Sequence, residues 1–181
     1  MKNINKYLLD NLWDDFLKLQ MKPHIFDDYC SYFNTLINWL KKHIDTIGDN
    51  LITKYTLDTI LHINIENYIS KNPDIILSHE RIRMFSQTPE TIDSFLMSLS
   101  DTLWDLIKLY SGKYCPACEE GELYYVIFEL ITAKQKVLAL ECGVCGWAEN
   151  IDETEWSGGL VNIYPANETD LAAYGVNKNQ S

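Results

Sequence analysis

Long apolar runs and positive charge are what this chain has least of. No apolar stretch approaches the roughly 20 residues that a membrane-spanning helix requires. The opening residues, Met1 to Lys6, lead into a stretch interrupted by Asp10, Asp14 and Asp15, which is not the pattern of a signal peptide. We therefore expect a cytoplasmic protein that does not contact a membrane.

The shortage of positive charge is greatest in the last third of the chain. The whole sequence has 15 Lys and Arg against 26 Asp and Glu, a formal net charge of -11. Residues 1–111 have 11 basic and 15 acidic residues, a net charge of -4, whereas residues 112–181 have 4 and 11, a net charge of -7. Proteins bind phosphate backbones with Lys and Arg. The excess of acidic residues therefore predicts no direct contact with nucleic acid. The pair Arg81 and Arg83 is typical of a solvated helix face.

Catalytic motifs are also lacking. The sequence contains no H-E-x-x-H, G-x-S-x-G or glycine-rich phosphate loop. The adjacent acids Asp14 and Asp15 would point about 100° apart on a helix and would not converge on a substrate. The histidines are scattered through the first half, at His24, His43, His62 and His79. We therefore predict a protein that is not an enzyme, with a site assembled from dispersed residues as the alternative.

Cysteine is scarce too, but its arrangement is specific. Of five cysteines, four form the pairs Cys115-Pro-Ala-Cys118 and Cys142-Gly-Val-Cys145, with 23 residues between the pairs. Two thiolates three positions apart on a tight turn can bind one metal ion from the same side, and a second such turn completes a tetrahedron. Four thiolates leave no open coordination position, so the pattern predicts one structural Zn²⁺ bound by Cys115, Cys118, Cys142 and Cys145.

Disulfides and redox chemistry are the alternatives for these cysteines. A cytosolic compartment keeps thiols reduced, which favours bound metal over disulfides. A thioredoxin-like dithiol would need a single C-x-x-C near a βαβ pattern. The fifth cysteine, Cys30, lies on an apolar helical face and is predicted to be part of the core.

Residues 1–111 are predicted to form a helical bundle. Apolar residues at helical spacing predict a first helix that ends at Pro23 and a second from about Phe26 to Gly48. A third is expected over Leu51–Leu61. Residues 62–86 are ambiguous: Asn64–Ser70 and Pro73–Met84 have the pattern of two short helices divided at Asn72 and Pro73, and Ile63–Ile65 could be a strand. A last helix is expected to begin at Thr88 and to stop at Gly112.

Beyond Gly112 the pattern changes to that of strands. Three β-rich runs follow, over Leu123–Ile131, Lys136–Leu140 and Trp147–Ile151, and a flanking strand is expected at Leu160–Tyr164. The predicted fold class is α+β, with an N-terminal helical bundle and a small antiparallel three-stranded module. The predicted domains are 1–111, 112–165, and a short C-terminal helix with a frayed tail over 166–181.

Residues 114–151 resemble the zinc ribbon family. The second pair, Cys142 to Cys145 followed by Gly146 and Trp147, matches the ribbon's C-x-x-C-G and its following aromatic residue. The first pair begins with the family's Cys-Pro but has Glu119 where a glycine is common. The resemblance implies a three-stranded fold held by one zinc ion and implies no particular function.

As a whole, the chain resembles the bacterial immunity proteins that protect toxin-producing cells, including those of contact-dependent growth inhibition systems. The resemblance lies in small size, acidity and composition rather than in a motif. It implies an inhibitor that binds and neutralises a basic protein toxin, with a nuclease domain as the expected partner. The alternative is a zinc-ribbon accessory factor of transcription or translation, which the acidic ribbon disfavours.

The residues expected to contact such a partner lie around the ribbon. Acidic side chains would attract a cationic surface, and tryptophan is favoured at the centre of interfaces. The acidic candidates are Glu119, Glu120, Glu122, Asp152, Glu153 and Glu155. Trp147 and Trp156 are the aromatic candidates, with packing inside the protein as the alternative for both.

Overall fold

The computed structural model describes residues 2–21, 28–68, 84–85 and 88–176. The chain divides into two compact units, which we call the helical unit and the sheet unit. The helical unit comprises Met1–Glu66 and Asn72–Leu106, and the sheet unit comprises Asn67–Lys71 and Ile107–Ser181.

The helical unit contains five described α-helices and adjoining 3₁₀ turns. Its helices are α1 (Lys2–Leu17), α2 (Tyr29–Ile47), α3 (Asp49–Lys54), α4 (Leu57–Ile60) and α5 (Ile92–Leu106). A 3₁₀ turn, Lys18–Met21, continues α1, and another, Ile65–Tyr68, includes residues of both units. Ile65 is therefore helical, and the strand alternative for Ile63–Ile65 is wrong. The rest of the ambiguous segment, from residue 69 to 83, lies outside the described residues.

Helix α2 has a defined start and stop. The carboxylate of Asp28 accepts a hydrogen bond from the Ser31 N–H at 2.8 Å, which caps the first turn. Gly48 ends the helix at a φ of 86°, a backbone angle that glycine tolerates, so the predicted end is confirmed. The predicted boundaries at Pro23 and Phe26 lie outside the described residues.

The single helix predicted over Leu51–Leu61 is wrong, because the structure has two short helices there. Thr56 adopts a left-handed φ of 53° between α3 and α4, which interrupts the helical hydrogen bonds. The carbonyl of Tyr55 instead accepts hydrogen bonds from the hydroxyls of Thr56 and Ser100, each at 2.8 Å. Side-chain donors thus replace the helical partner at the break.

Helix α5 is shorter than predicted at both ends. The Thr91 hydroxyl accepts a hydrogen bond from the Ser94 N–H at 3.0 Å, so the cap is Thr91 rather than Thr88. The helix ends at Leu106 rather than near Gly112. The backbone that follows pairs with a strand, which satisfies its hydrogen bonds as well as a helix would.

Aromatic side chains form the centre of the helical unit. Phe16 of α1 is fully buried, and its ring contacts those of Trp39 of α2 at 5.0 Å and Phe95 of α5 at 5.1 Å between centroids. Trp13 meets the same Phe95 ring at 5.7 Å. Edge-to-face pairs of this kind join three helices and add to the stabilisation from burial.

The described part of the sheet unit contains five antiparallel strands. They are β1 (Tyr110–Tyr114), β2 (Glu122–Leu130), β3 (Lys136–Cys142), β4 (Ala148–Asn150) and β5 (Val161–Pro165). The order is β1-β2-β3-β4, and β5 also pairs with β2. β1 pairs with the start of β2, with Tyr114 opposite Glu122, and β5 pairs with its end, with Ile163 opposite Phe128.

Both faces of the sheet carry an apolar cluster. On one face Ile127 and Leu138 pack with Leu171 of a short helix, α6 (Glu168–Ala173). On the other face Phe128 and its neighbours pack with Trp156. Alternation along each strand places successive side chains on opposite faces.

The predicted α+β class is confirmed, with helices in the N-terminal part and antiparallel strands in the C-terminal part. The three predicted ribbon strands correspond to β2, β3 and β4, and the flanking strand to β5. Strand β1 was not predicted. In the described part of the chain, no helix combines the length and the apolar character needed to cross a bilayer.

Candidate metal centre

The two cysteine pairs lie in two tight turns of the sheet unit. The first knuckle, Cys115 to Cys118, follows β1, and the second, Cys142 to Cys145, joins β3 to β4. Pairing of β2 with β3 places Leu123 opposite Cys142, which brings the two turns to the same end of the sheet. The two strands therefore set the distance between the knuckles.

Backbone hydrogen bonds close each knuckle. In the first, the Cys115 N–H donates to the carbonyl of Gly121 at 2.7 Å. In the second, the Cys142 N–H donates to the carbonyl of Trp147 at 2.8 Å, and the Gly146 N–H donates back to Cys142 at 3.0 Å. These hydrogen bonds define the shape of each turn and the positions from which the sulfur atoms extend.

The four sulfur atoms converge on one point. All four Sγ atoms lie within 4.8 Å of one another. Across the knuckles, Cys115 Sγ is 3.6 Å from Cys145 Sγ, and Cys118 Sγ is 3.7 Å from Cys142 Sγ. A tetrahedral zinc ion with Zn–S bonds of about 2.3 Å would set its sulfur atoms about 3.8 Å apart. The cluster can therefore hold one metal ion.

Burial differs between the four thiols. Cys115 is 1% exposed and Cys142 2% exposed, and both pack with Leu123 and Leu140. Cys118 is half-buried and Cys145 is exposed. One side of the cluster is thus sealed by the sheet, and the other is open to solvent.

The thiols also differ in acidity. Backbone N–H groups of Glu120 and Gly121 donate to the Cys118 sulfur and lower its pKa to about 7. At Cys145 the Trp147 N–H lowers the pKa, but partial desolvation and hydrogen bonds with the three neighbouring thiols raise it more, to a net value of about 12. Four closely spaced thiolates repel one another, and a bound divalent cation removes that cost.

Gly121 is a functional residue whose role the sequence analysis missed. A Cβ atom at this position would lie 2.5 Å from Cys142 Sγ and 3.0 Å from Cγ2 of Val144. Only glycine lets the end of the first knuckle approach the second so closely. A glycine between a C-x-x-C pair and the following strand is the sequence feature that could have indicated this contact.

Glu119 occupies the position that corresponds to Gly146 in the other knuckle. Each residue directly follows the second cysteine of its pair, and both adopt a left-handed backbone, with a φ of 58° at Glu119 and 73° at Gly146. The departure from the ribbon pattern at Glu119 therefore keeps the same turn. At Glu119 the left-handed backbone is strained, because this residue, unlike glycine, has a Cβ atom.

A cation that the sequence analysis did not single out lies beside the second knuckle. The ammonium of Lys108 is placed 4.6 Å from the centre of the Tyr124 ring, and a Cβ atom on Gly143 would lie 3.4 Å from it. A positive charge at this position would offset part of the negative charge of four metal-bound thiolates. Lys108 could not be assigned to the site because it was predicted to lie within the last helix.

The acidic residues predicted to bind a partner are not equivalent. Glu122 is half-buried and the other five are exposed. Three accept hydrogen bonds within the sheet unit: Glu153 from Lys113 Nζ at 2.6 Å, Glu122 from the Gly112 N–H at 2.9 Å, and Asp152 from the Thr154 N–H at 3.2 Å. The hydrogen bond from Lys113 lowers the pKa of Glu153.

Glu119, Glu120 and Glu155 present their carboxylates differently. All three are exposed, and none of their carboxylates forms an ion pair or hydrogen bond with another described residue. Glu119 and Glu120 directly follow the first knuckle, so two negative charges adjoin the thiolate cluster.

Both candidate tryptophans are half-buried. Trp147 packs against the cysteine cluster and its indole N–H donates to the buried carboxylate of Glu149 at 3.4 Å. Trp156 packs edge-on against Phe128, with ring centroids 4.8 Å apart. Each ring thus stabilises the sheet unit and keeps an exposed portion.

Comparison of the chain with protein-family models, with curated proteins and with solved structures gave no match.

Proposed function

We propose that the four cysteines bind one Zn²⁺ and that this ion is structural. The proposal is supported by the all-thiolate donor set and by sulfur separations of 3.6 Å and 3.7 Å across the knuckles. Four protein ligands fill the tetrahedron, so no position is left for a substrate or an activated water. Zinc binding and folding of the knuckles are then a single equilibrium.

Metal analysis tests this assignment. Reduced, purified protein should contain about one zinc ion per chain. Replacement by Co²⁺ should give the absorption bands of a tetrahedral four-thiolate complex. Reduced protein that binds neither ion, or a disulfide between Cys115 and Cys118, would exclude the zinc site.

We further propose that the chain is a non-catalytic inhibitor, an immunity protein that neutralises a basic bacterial toxin. The supporting observation is the charge of the sheet unit, where residues 107–176 have 4 Lys and 11 Asp and Glu. A zinc ion with four thiolates adds about two further negative charges close to Glu119 and Glu120. Such a surface attracts a cationic protein and orients it during association.

A nuclease domain is the toxin class that this charge suits best. An enzyme that binds a phosphate backbone must present Lys and Arg to it. An acidic protein that covers those residues competes directly with the substrate. The same acidic surface disfavours binding of nucleic acid by this chain itself.

Protection of living cells is the decisive experiment. Where a neighbouring gene encodes a basic toxin, the chain would be co-expressed with that toxin, and with an unrelated toxin as a control. We expect survival with the first toxin only. Failure to protect by a chain that is folded and zinc-loaded would overturn the inhibitor proposal.

A zinc-ribbon factor of transcription or translation is the second candidate function. The two knuckles and their tetrahedral sulfur spacing favour it, because ribbons of this type occur in such factors. Its discriminating result would be stable association with polymerase or ribosome and no protection from a toxin.

A further inference from the structure

Strand β5 forms an open edge of the sheet. In the described part of the chain it pairs only with β2. Exposed edges are sites where other chains add a strand, and proteins commonly protect them with charged residues or bulges. β5 has the sequence Val-Asn-Ile-Tyr-Pro and carries no charged residue.

Two hydrogen bonds show which backbone groups of β5 face away from β2. The Ile131 N–H donates to the carbonyl of Leu160, and the Ala166 N–H donates to the carbonyl of Tyr125, both at 3.2 Å. Because backbone groups alternate along an antiparallel strand, the residues at positions 160, 162, 164 and 166 face β2. Val161, Ile163 and Pro165 face outward.

Pro165 supports this assignment. Proline has no N–H and is found in sheets at positions where that group would not bond to a neighbouring strand. The outward edge therefore offers two N–H groups, from Val161 and Ile163, and three carbonyl groups. This is enough to pair with a short extended segment.

Apolar side chains accompany these backbone groups. Ile163 is 46% exposed and lies opposite Phe128, on the face where Trp156 packs. At the end of the strand Leu160 is 83% exposed and Ile131 46% exposed. We call Ile131, Trp156, Leu160 and Ile163, together with the outward backbone of β5, the β5 edge.

We propose that the β5 edge binds an extended, cationic segment of a protein partner, which adds to the sheet as a sixth strand. Main-chain hydrogen bonds to Val161 and Ile163 would supply affinity, and apolar side chains next to Ile163 would supply specificity. This inference rests on the proposed function, because it assigns a surface to the basic partner proposed above.

Charge complementarity selects a cationic occupant. Acidic residues outnumber lysines by 11 to 4 over residues 107–176. Exposed Glu155 directly precedes Trp156, and Glu129 stands opposite Asn162. Lys134 and Lys136 lie at the turn between β2 and β3, and the Lys136 ammonium lies 6.0 Å from the centre of the Tyr164 ring, on the sheet face opposite to Ile163. The repulsion that a cationic segment meets therefore comes from that end of the strand and from the face that Ile163 does not share.

Amide hydrogen exchange on the full, zinc-loaded chain tests the edge. In the free protein the amides of Val161 and Ile163 should exchange on the order of tenfold or more faster than those of Asn162 and Tyr164. The probe is a short peptide that alternates Lys and Val, and its control has Glu in place of Lys. We expect the Lys peptide alone to slow exchange at Val161 and Ile163.

Substitutions in β5 sharpen the test. Ile163→Pro removes an outward N–H and should abolish peptide binding while Asn162 and Tyr164 stay protected. Ile163→Lys should also abolish it, whereas Tyr7→Lys, which changes an exposed aromatic residue in the helical unit by the same charge, should not. If Ile163→Pro reduces the exchange protection of the Asn162 and Tyr164 amides, the Ile163→Lys variant is the one that tests peptide binding.

Several results would overturn the proposal. Absence of peptide binding, equal binding of the Lys and Glu peptides, or peptide contacts away from β5 would each contradict it. Protection of the Val161 and Ile163 amides that rises with protein concentration would identify a second copy of the chain as the occupant. Toxin protection tests the two proposals separately. Full protection of cells by the Ile163→Pro variant would refute binding at the β5 edge and leave the inhibitor proposal intact. Peptide binding at the β5 edge by a chain that does not protect cells would refute the inhibitor proposal and leave the β5 edge as a binding surface.

Discussion

At the scale of single residues, the close approach of Gly121 to Cys142 gives the sharpest prediction. Gly121→Ala would place a Cβ atom 2.5 Å from Cys142 Sγ, one of the four sulfur atoms of the proposed zinc site. We expect a loss of about 1–3 kcal/mol, measured as weaker zinc binding in competition with a chromogenic chelator. Gly143→Ala is the matched control in the other knuckle, because its Cβ atom would make only ordinary contacts at 3.4 Å. Equal affinities in both variants would contradict the steric argument.

The left-handed backbone of Glu119 gives a stabilising prediction. Glu119→Gly should relieve strain of about 1–2 kcal/mol, reduced by the greater flexibility of glycine in the unfolded chain, for a net gain below about 1 kcal/mol. Urea unfolding of the zinc-loaded protein measures it. Glu120→Gly, at a neighbour without a positive φ, should not stabilise. A loss in the Glu119 variant would mean that its carboxylate contributes more than the strain costs.

Asp15 connects two helices and gives the prediction for pH. Its carboxylate contacts Lys42 Nζ at 2.7 Å and His43 Nε2 at 2.8 Å, and these hydrogen bonds, that of Lys42 foremost, hold its pKa well below the ordinary value of 3.8. A lowered pKa in the folded state adds stability above the unfolded pKa, which is lost as the pH falls through the folded one.

Asp15→Asn should therefore lower the free energy of unfolding by about 1–2 kcal/mol at neutral pH. The difference between the variant and the original protein should shrink as the pH drops below about 4. Thermal unfolding followed by circular dichroism at a series of pH values measures it. A difference that is independent of pH would show that the ion contacts do not stabilise the fold.

At the scale of elements, the zinc ion should decide whether the knuckles fold. Cys142→Ser removes a proposed zinc ligand whose strand also pairs with β2. We therefore expect loss of zinc and a destabilised sheet unit, with the helical signal largely kept. Cys30→Ser, in α2, should leave the zinc content unchanged. Metal content and amide exchange in each unit, measured for both variants, distinguish loss of a zinc ligand from a substitution outside the site. Normal zinc content in Cys142→Ser would exclude this residue as a ligand.

Local periodicity predicted the elements that depend on local interactions. Helix α2 has an apolar stripe and a terminal glycine, and both were identified from the sequence, whereas its cap at Asp28 was not. Strand β1 could not be found in this way, because Leu109 and Tyr110 continue the apolar spacing of α5. Their strand conformation results from pairing with β2, which is a contact between distant parts of the chain.

In the candidate metal centre, too, features set by local sequence could be predicted and features set by distant contacts could not. The four cysteines were identifiable because metal geometry fixes their spacing. Gly121 and Lys108 were not, because their importance depends on which atoms lie next to them after folding. Thr56 likewise gave no sequence sign of the left-handed conformation that separates α3 from α4.

At the scale of the whole molecule, the uneven charge predicts salt-dependent behaviour. At about 0.15 M salt the protein should not retard duplex or single-stranded nucleic acid in gels at micromolar concentration, because the acidic sheet unit repels phosphates. Tight retardation that weakens with added salt would favour the transcription or translation factor.

The pairing of the two knuckles has a further consequence for how the sheet forms. The sulfur contacts join residues on either side of the β2–β3 hairpin, so their convergence requires Leu123 to stand opposite Cys142. A slip of one residue between these strands would turn Cys142 to the opposite face and leave the metal with an incomplete ligand set. A bound ion would therefore stabilise only the hairpin alignment that brings all four sulfur atoms together, and it would disfavour misaligned pairings of β2 and β3 during folding.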